Sequence, residues 1–127
     1  MRTLVILAVA VAALNSALGQ NATQFVFVRI PQALQPLDRA AKYEDPLNVA
    51  LKKDRVGEVT GGGSQLSQPD KDGKRSIEWI GIDVDLTNFE KGLPVLKREL
   101  LRLGAPRSTV LEYSRDGKKT EETLEKI

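Results

Sequence analysis

The pattern of apolar and polar residues divides the chain into strand-like and helix-like segments. Residues 24–30 (QFVFVRI) are rich in aromatic and β-branched side chains and stop at a proline, which predicts a first strand. Residues 58–66 (EVTGGGSQL) predict a weaker strand interrupted by three glycines, and residues 108–114 (STVLEYS) predict a last one. Residues 76–87 show the cleanest period of two and predict the best strand. Its apolar face carries Ile80, Ile82, Val84 and Leu86, and its other face carries Trp79, Gly81, Asp83 and Asp85.

Two segments have the spacing of an amphipathic helix. Asp45 and Pro46 are typical of an N-cap followed by a proline at the first helical position, and Gly57 ends this short predicted helix. The preceding residues 31–44 contain two prolines and predict an irregular connection.

The second helix is predicted to begin at a capping box formed by Thr87 and Glu90 and to end at Gly104. Apolar residues recur between these ends at helical intervals, which predicts one buried face. They are Phe89, Leu93, Leu96, Leu100 and Leu103.

These elements follow one another in the order β-α-β-β-α-β, with a Lys-Asp-Gly-Lys turn at 71–74 joining the middle strands. The order predicts an α+β, ferredoxin-like βαββαβ fold, in which a four-stranded antiparallel sheet carries two helices on one face. Asp83 and Asp85 favour an open second face, because a strand buried on both faces would not carry two carboxylates. The register of the first strand stays undetermined, so the open face carries either Phe25 and Phe27 or the valines at 26 and 28.

The N-terminal residues have the pattern of a secretory signal peptide. Arg2 precedes an unbroken apolar run at 4–14, and small residues at 17 and 19 precede Gln20. Such a run spans about 17 Å as a helix, which is too short for a bilayer core of roughly 30 Å. We therefore expect a signal peptide at 1–19, a single domain at 20–114 and a charged tail at 115–127, either a short hairpin strand or frayed. A cleaved signal predicts a secreted or periplasmic protein with no membrane span.

Composition excludes several kinds of chemistry. The 127 residues contain no Cys and no His, which excludes disulfides, thiolate nucleophiles, Ser-His-Asp triads and imidazole metal ligands. The formal net charge is only +2, with both signs interspersed, which argues against a nucleic-acid partner. No motif predicts a cofactor.

Three segments together resemble a group of small uncharacterised bacterial proteins: 57–66 (GEVTGGGSQL), 77–86 (IEWIGIDVDL) and 100–109 (LLRLGAPRST). That group has a strand with a glycine triplet, an acidic strand and a Gly-Ala-Pro turn after the second helix. The resemblance covers roughly residues 45–113. It implies the ferredoxin-like fold and supplies no catalytic residue.

Three places are candidate binding sites. Trp79, Asp83 and Asp85 share the predicted open face, where they suit a protein contact, a divalent cation or acid–base chemistry. The backbone of Gly61, Gly62 and Gly63 suits either an anion or a bulge at the sheet edge. Arg39, Lys42 and Tyr43 lie in the long connection, where they suit carboxylate or phosphate capture or a protein contact.

The hypothesis that these features favour is an exported, non-catalytic binding module. It would contact a protein partner, or a second copy of itself, through an open sheet face or edge, and an inhibitor or immunity-like protein is a narrower version. A carboxylate-based, metal-dependent enzyme is one alternative, and a carrier of a small ligand or anion is the other.

Overall fold

The computed structural model describes residues 23–124, so the predicted signal peptide lies outside the described residues. These residues form one antiparallel sheet with helices packed on one face. The elements in chain order are β1 (Gln24–Ile30), α1 (Pro36–Arg39), a π-helical segment (Ala40–Glu44), α2 (Asp45–Lys53), β2 (Gly57–Leu66), β3 (Ile77–Leu86), α3 (Phe89–Arg102), β4 (Val110–Arg115) and β5 (Lys118–Thr123). Between residues 23 and 124, no helix is long and apolar enough to cross a membrane.

The predicted ferredoxin-like βαββαβ layout is wrong, because the sheet has five strands in the order β2-β3-β1-β4-β5. The additional strand is β5, which pairs with β4 along its whole length. A two-residue turn makes this pairing possible, since Asp116 and Gly117 both have positive φ, at 54° and 77°. β5 (KKTEET) has no apolar alternation, so the sequence left open whether this charged tail frays or forms a short hairpin strand, and the structure shows the strand.

The predicted irregular connection at 31–44 is correct for residues 31–35 and wrong after them, because a helical stretch begins at Pro36 and continues to Lys53. Asp45 lies inside this stretch with helical dihedral angles, so it is not an N-cap. Pro46 has no N–H, and its ring would clash with the carbonyl of Lys42 in a regular α-helix. The π-helical turn immediately before it widens the backbone at this point, which is how such stretches commonly accommodate a proline.

The second predicted helix is confirmed as α3, but its N-terminal cap is one residue away from the predicted position. Asn88 is the N-cap, and its Oδ1 accepts a hydrogen bond of 3.1 Å from the Lys91 N–H. The capping box of Thr87 and Glu90 is therefore not formed. The helix is followed by Gly104 with φ of 90°, as the sequence predicted.

Strand β1 lies at the centre of the sheet, between β3 and β4. Val26, Val28 and Ile30 are completely buried, which settles the register that the sequence left open. Phe25 and Phe27 therefore point to the open face. The buried face packs against the helices through leucines, each of which stabilises the fold by about 1.5–3 kcal/mol. These are Leu47 and Leu51 of α2 and Leu96 and Leu100 of α3, all completely buried.

The residue that follows β5 anchors this strand to the core. Leu124 is completely buried, and its N–H donates a 3.2 Å hydrogen bond to the Thr109 carbonyl. We expect Leu124→Ala to lower the free energy of unfolding by about 2–4 kcal/mol, as for other buried leucines. Leu37→Ala is the matched control, because Leu37 is 85% exposed and its loss should cost less than about 0.5 kcal/mol. Urea unfolding of both variants measures the difference, and equal stability would contradict the assignment of this segment to the fold.

Candidate functional site

The open face of the sheet carries an aromatic and cationic cluster. Phe27 and Trp79 contact each other edge to face, with ring centroids 6.0 Å apart. The Arg29 guanidinium lies 5.7 Å from the centre of the Trp79 ring and also forms a 3.0 Å ion pair with Glu112. Trp79 and Phe27 are both half-buried, so neighbouring side chains on this face already cover part of each ring.

Asp83 and Asp85 share this face but have different neighbours. Asp83 lies opposite Phe27 on one side and Gly61 on the other. Asp85 lies opposite Phe25 and Glu58. Both aspartates are half-buried, and neither takes part in an ion pair among the described residues. Residues 23–124 also contain no group of three or more acidic side chains placed to hold a metal ion.

The glycine triplet lies in β2, which forms one edge of the sheet. The register shifts between Val59 and Gly61, so Thr60 is an extra residue that makes a bulge. The Thr60 hydroxyl donates a 3.3 Å hydrogen bond to the Asp83 carbonyl. The bulge that the sequence offered as one reading of the triplet is thus present immediately before it.

The three predicted residues of the first connection lie in a helical stretch rather than in a loop. Arg39 forms an ion pair with Glu44, and its guanidinium also contacts the Ser64 hydroxyl at 3.4 Å. Tyr43 is completely buried, and its hydroxyl donates a hydrogen bond to Gln32. Burial raises the pKa of Tyr43, against the smaller opposing effect of this hydrogen bond. Lys42 is exposed, with its ammonium 5.3 Å from the Tyr43 ring centre.

The structure therefore separates the predicted site residues into two groups. Trp79, Asp83, Asp85 and Gly61 lie on or beside the open face, whereas Gly62 lies against Arg39 and Glu44. A Cβ on Gly62 would lie 2.6 Å from Glu44 Oε2 and 3.1 Å from Arg39 Nε. Arg39 and Tyr43 are thus engaged within the fold, which leaves the anion-carrier hypothesis with few available groups.

The two edges of the sheet differ in how they are protected. β5 carries Lys118, Lys119, Glu121 and Glu122 in a six-residue strand, and such charges discourage pairing with another chain. β2 is ten residues long, and its residues 59–66 carry no charge. Its outer N–H and C=O groups have no neighbouring strand in the described part of the chain.

One side chain, Asn48 of α2, covers part of the β2 edge. Its Oδ1 accepts a 2.9 Å hydrogen bond from the Val59 N–H. The accessible edge therefore begins after Val59 and extends from Gly61 to Leu66, and we call these six residues the open edge. Sequence reasoning missed Asn48, because nothing in its spacing distinguishes it from any exposed helical asparagine.

The helices also enclose a groove, of about 520 Å³, between α2 and α3. It is lined by Pro46, Val49, Lys53, Arg98 and Arg102 among others. Its two arginines are largely neutralised by acidic residues. The Arg102 Nε donates a 2.7 Å hydrogen bond to Glu99 Oε1, and the Arg102 Nη2 lies 2.6 Å from the same oxygen. The Arg98 guanidinium lies 3.6 Å from the Asp54 carboxylate and 3.5 Å from the Glu99 carboxylate.

No protein-family model matches the chain, and no curated protein matches it either. Among solved structures, the chain is similar to a phage SAM lyase in complex with S-methyl-5′-thioadenosine. That likeness has a TM-score of 0.45 and 10% sequence identity, and it covers 81% of this chain and 91% of that chain. A likeness this distant supports no conclusion about the activity of this protein.

Adjacent glycines of the triplet offer a matched test of how closely the helix packs on β2. Gly62→Ala would press a methyl group against the Arg39–Glu44 ion pair and the Gly81 carbonyl, so we expect a loss of about 1–2 kcal/mol in unfolding free energy. Gly63→Ala meets nothing within 4 Å, and removing a glycine from a strand should stabilise by up to about 0.5 kcal/mol. Thermal unfolding of both variants measures this, and equal melting temperatures would contradict the close packing at residue 62.

The buried Glu99 carboxylate predicts a pH dependence of stability. Hydrogen bonds from Arg102 lower the pKa of Glu99, although burial opposes this shift. Because the folded pKa is lower than the unfolded one, the unfolded chain takes up the proton first as the pH falls. The stabilisation is complete above the usual Glu pKa of about 4.3 and is lost as the pH falls through the lowered value.

We expect Glu99→Gln to destabilise the fold by about 1–2 kcal/mol at pH 7. The difference from the unsubstituted protein should shrink as the pH is lowered towards 3. Glu121→Gln, at an exposed position on β5, is the control and should leave stability unchanged. Urea unfolding at a series of pH values measures both, and a constant difference for Glu99→Gln would refute the predicted linkage.

Proposed function

We propose that this protein is an exported, non-catalytic binding module that takes up an extended segment of a partner protein as an additional strand beside β2. Binding of this kind uses main-chain hydrogen bonds for affinity and side-chain contacts for specificity. An inhibitor or immunity-like protein would be a narrower case of the same function.

The contrast between the two sheet edges is the observation that carries this proposal. Charged side chains protect β5, and Asn48 covers the Val59 end of β2. The open edge, Gly61–Leu66, is uncharged, exposed along nearly all of its length and adjacent to no other strand among residues 23–124. Natural proteins usually blunt such an edge, so one left accessible favours a pairing function.

The two alternatives have less support from the geometry. An enzyme that uses Asp83 and Asp85 with a metal would need further ligands, and the described residues contain no group of three carboxylates placed to hold a metal ion. A carrier built on the basic residues would need Arg39 and Tyr43, which already bind Glu44 and Gln32.

Strand addition can be tested with a library of random octapeptides, acetylated and amidated, screened against the protein expressed from its full-length sequence. We expect selected peptides to shift the amide NMR signals of the open edge and to slow hydrogen exchange there. Each selected peptide is then synthesised in two versions that carry N-methyl groups on every second residue. One version is methylated on the odd-numbered residues and the other on the even-numbered residues, and we call these the two frames. Only alternate N–H groups of a strand face a given neighbour, so one frame should weaken binding at least tenfold and the other should bind almost normally.

The pair of N-methylated peptides is its own matched control, because both carry the same number of methyl groups. Equal affinity of the two frames, or amide shifts confined to α2 and α3, would contradict strand addition. A library that yields no binding peptide at all would also overturn the proposed function.

A further inference from the structure

We infer that the segment bound beside β2 carries a lysine or arginine opposite Gly61, and that the Asp83 carboxylate binds this cation across the glycine. The inference rests on the proposed function, because it requires a strand on the open edge. It identifies the chemistry of the partner, which the edge alone does not.

The position of the Asp83 carboxylate supports this assignment. Asp83 lies directly opposite Gly61 in the β2–β3 register. Its Oδ2 is 3.4 Å from the point that a Cβ on Gly61 would occupy. The carboxylate therefore lies against the backbone of the edge strand, on the open face, and within the described residues no lysine or arginine pairs with it.

Glycine at residue 61 is what opens the path to this carboxylate. An added strand would lie about 4.8 Å beyond β2, and its residue opposite Gly61 would point to the same face as Asp83. Any larger side chain at residue 61 would stand between the two. Because Gly61 has none, the long flexible stem of an incoming lysine or arginine can pass over the glycine and bring its charge to Asp83.

Electrostatics favours a cation over an apolar side chain at this position. Asp83 is already half-buried, and an added strand would remove more of its contact with water. A carboxylate that loses water without gaining a partner is strongly unfavourable, whereas a lysine or arginine would both pair with it and donate hydrogen bonds. An apolar or acidic residue opposite Gly61 should therefore be selected against.

The same reasoning disfavours the β2 strand of a second copy as the occupant. Residues 57–66 contain no lysine or arginine, so a β2–β2 pairing would bring no cation to Asp83. The segment that fits therefore comes from a different protein and is extended, with a lysine or arginine at the position opposite Gly61.

The octapeptides selected against the full-length protein test this inference. NMR contacts to Gly61 identify the peptide residue that faces it, and that residue is replaced by norleucine, which keeps the stem of lysine without its charge. We expect the affinity to fall by about twofold to fivefold. With the Asp83→Asn protein the same replacement should have no effect, whereas with Asp85→Asn, the matched control on the same strand, the loss should persist.

A second variant separates loss of charge from loss of access. Gly61→Val keeps Asp83 but covers it with a side chain, so it should also remove the preference for the cation. Melting temperatures of all variants verify that they fold. This inference would be overturned, and the proposed function left intact, by one combination of results. The peptides would bind the open edge and lose affinity in only one N-methylated frame, but would show no preference for lysine or arginine opposite Gly61. A library without any binder would overturn both.

Discussion

The burial of one face of β1 is the constraint on which the rest of the structure depends. Val26, Val28 and Ile30 must face the helices, and β1 is paired with β3 on one side and β4 on the other. A shift of one residue would place Phe25 and Phe27 in the core and the valines on the surface. The register therefore sets which residues of β3 and β4 share the open face. The row Gly61, Asp83, Phe27 and Glu112, on which the candidate site is built, follows from it.

The sequence was informative wherever a residue's role depends on its local pattern. The alternation of Ile80, Ile82 and Val84 correctly predicted which face of β3 is buried, and Gly73 marked a real turn between β2 and β3. Prediction from the sequence failed where contacts between distant parts of the chain determine the local structure. A proline such as Pro46 has the same local signature at the start of a helix as directly after a π-helical turn. Only the packing of Tyr43 into the core distinguishes these two possibilities. The sequence left open whether the charged tail forms a short hairpin strand, because β5 (KKTEET) contains no apolar residue whose alternation could mark a buried face.

The candidate site likewise contains some residues that the sequence pattern placed correctly and others that it did not. Sequence pattern placed Trp79, Asp83 and Asp85 on one face, and the structure has them there. It also grouped Arg39, Lys42 and Tyr43 by proximity along the chain, but the helical geometry directs them to different surroundings. Two contacts that matter for the site have no local signature in the sequence. Asp83 approaches Gly61, which is 22 positions away along the chain. Asn48 covers Val59, which is 11 positions away.

The glycine triplet also has a thermodynamic consequence for the protein when nothing is bound. Each glycine loses more conformational entropy than other residues when it is held extended, by roughly 0.5–1 kcal/mol relative to alanine. Because β2 is already paired with β3 in the folded protein, this cost is part of the free energy of folding and does not recur when a strand is added to the open edge. The edge is therefore held extended in advance, at some expense to the stability of the fold. Only the arriving segment has to lose conformational freedom, which lowers the entropic cost of binding.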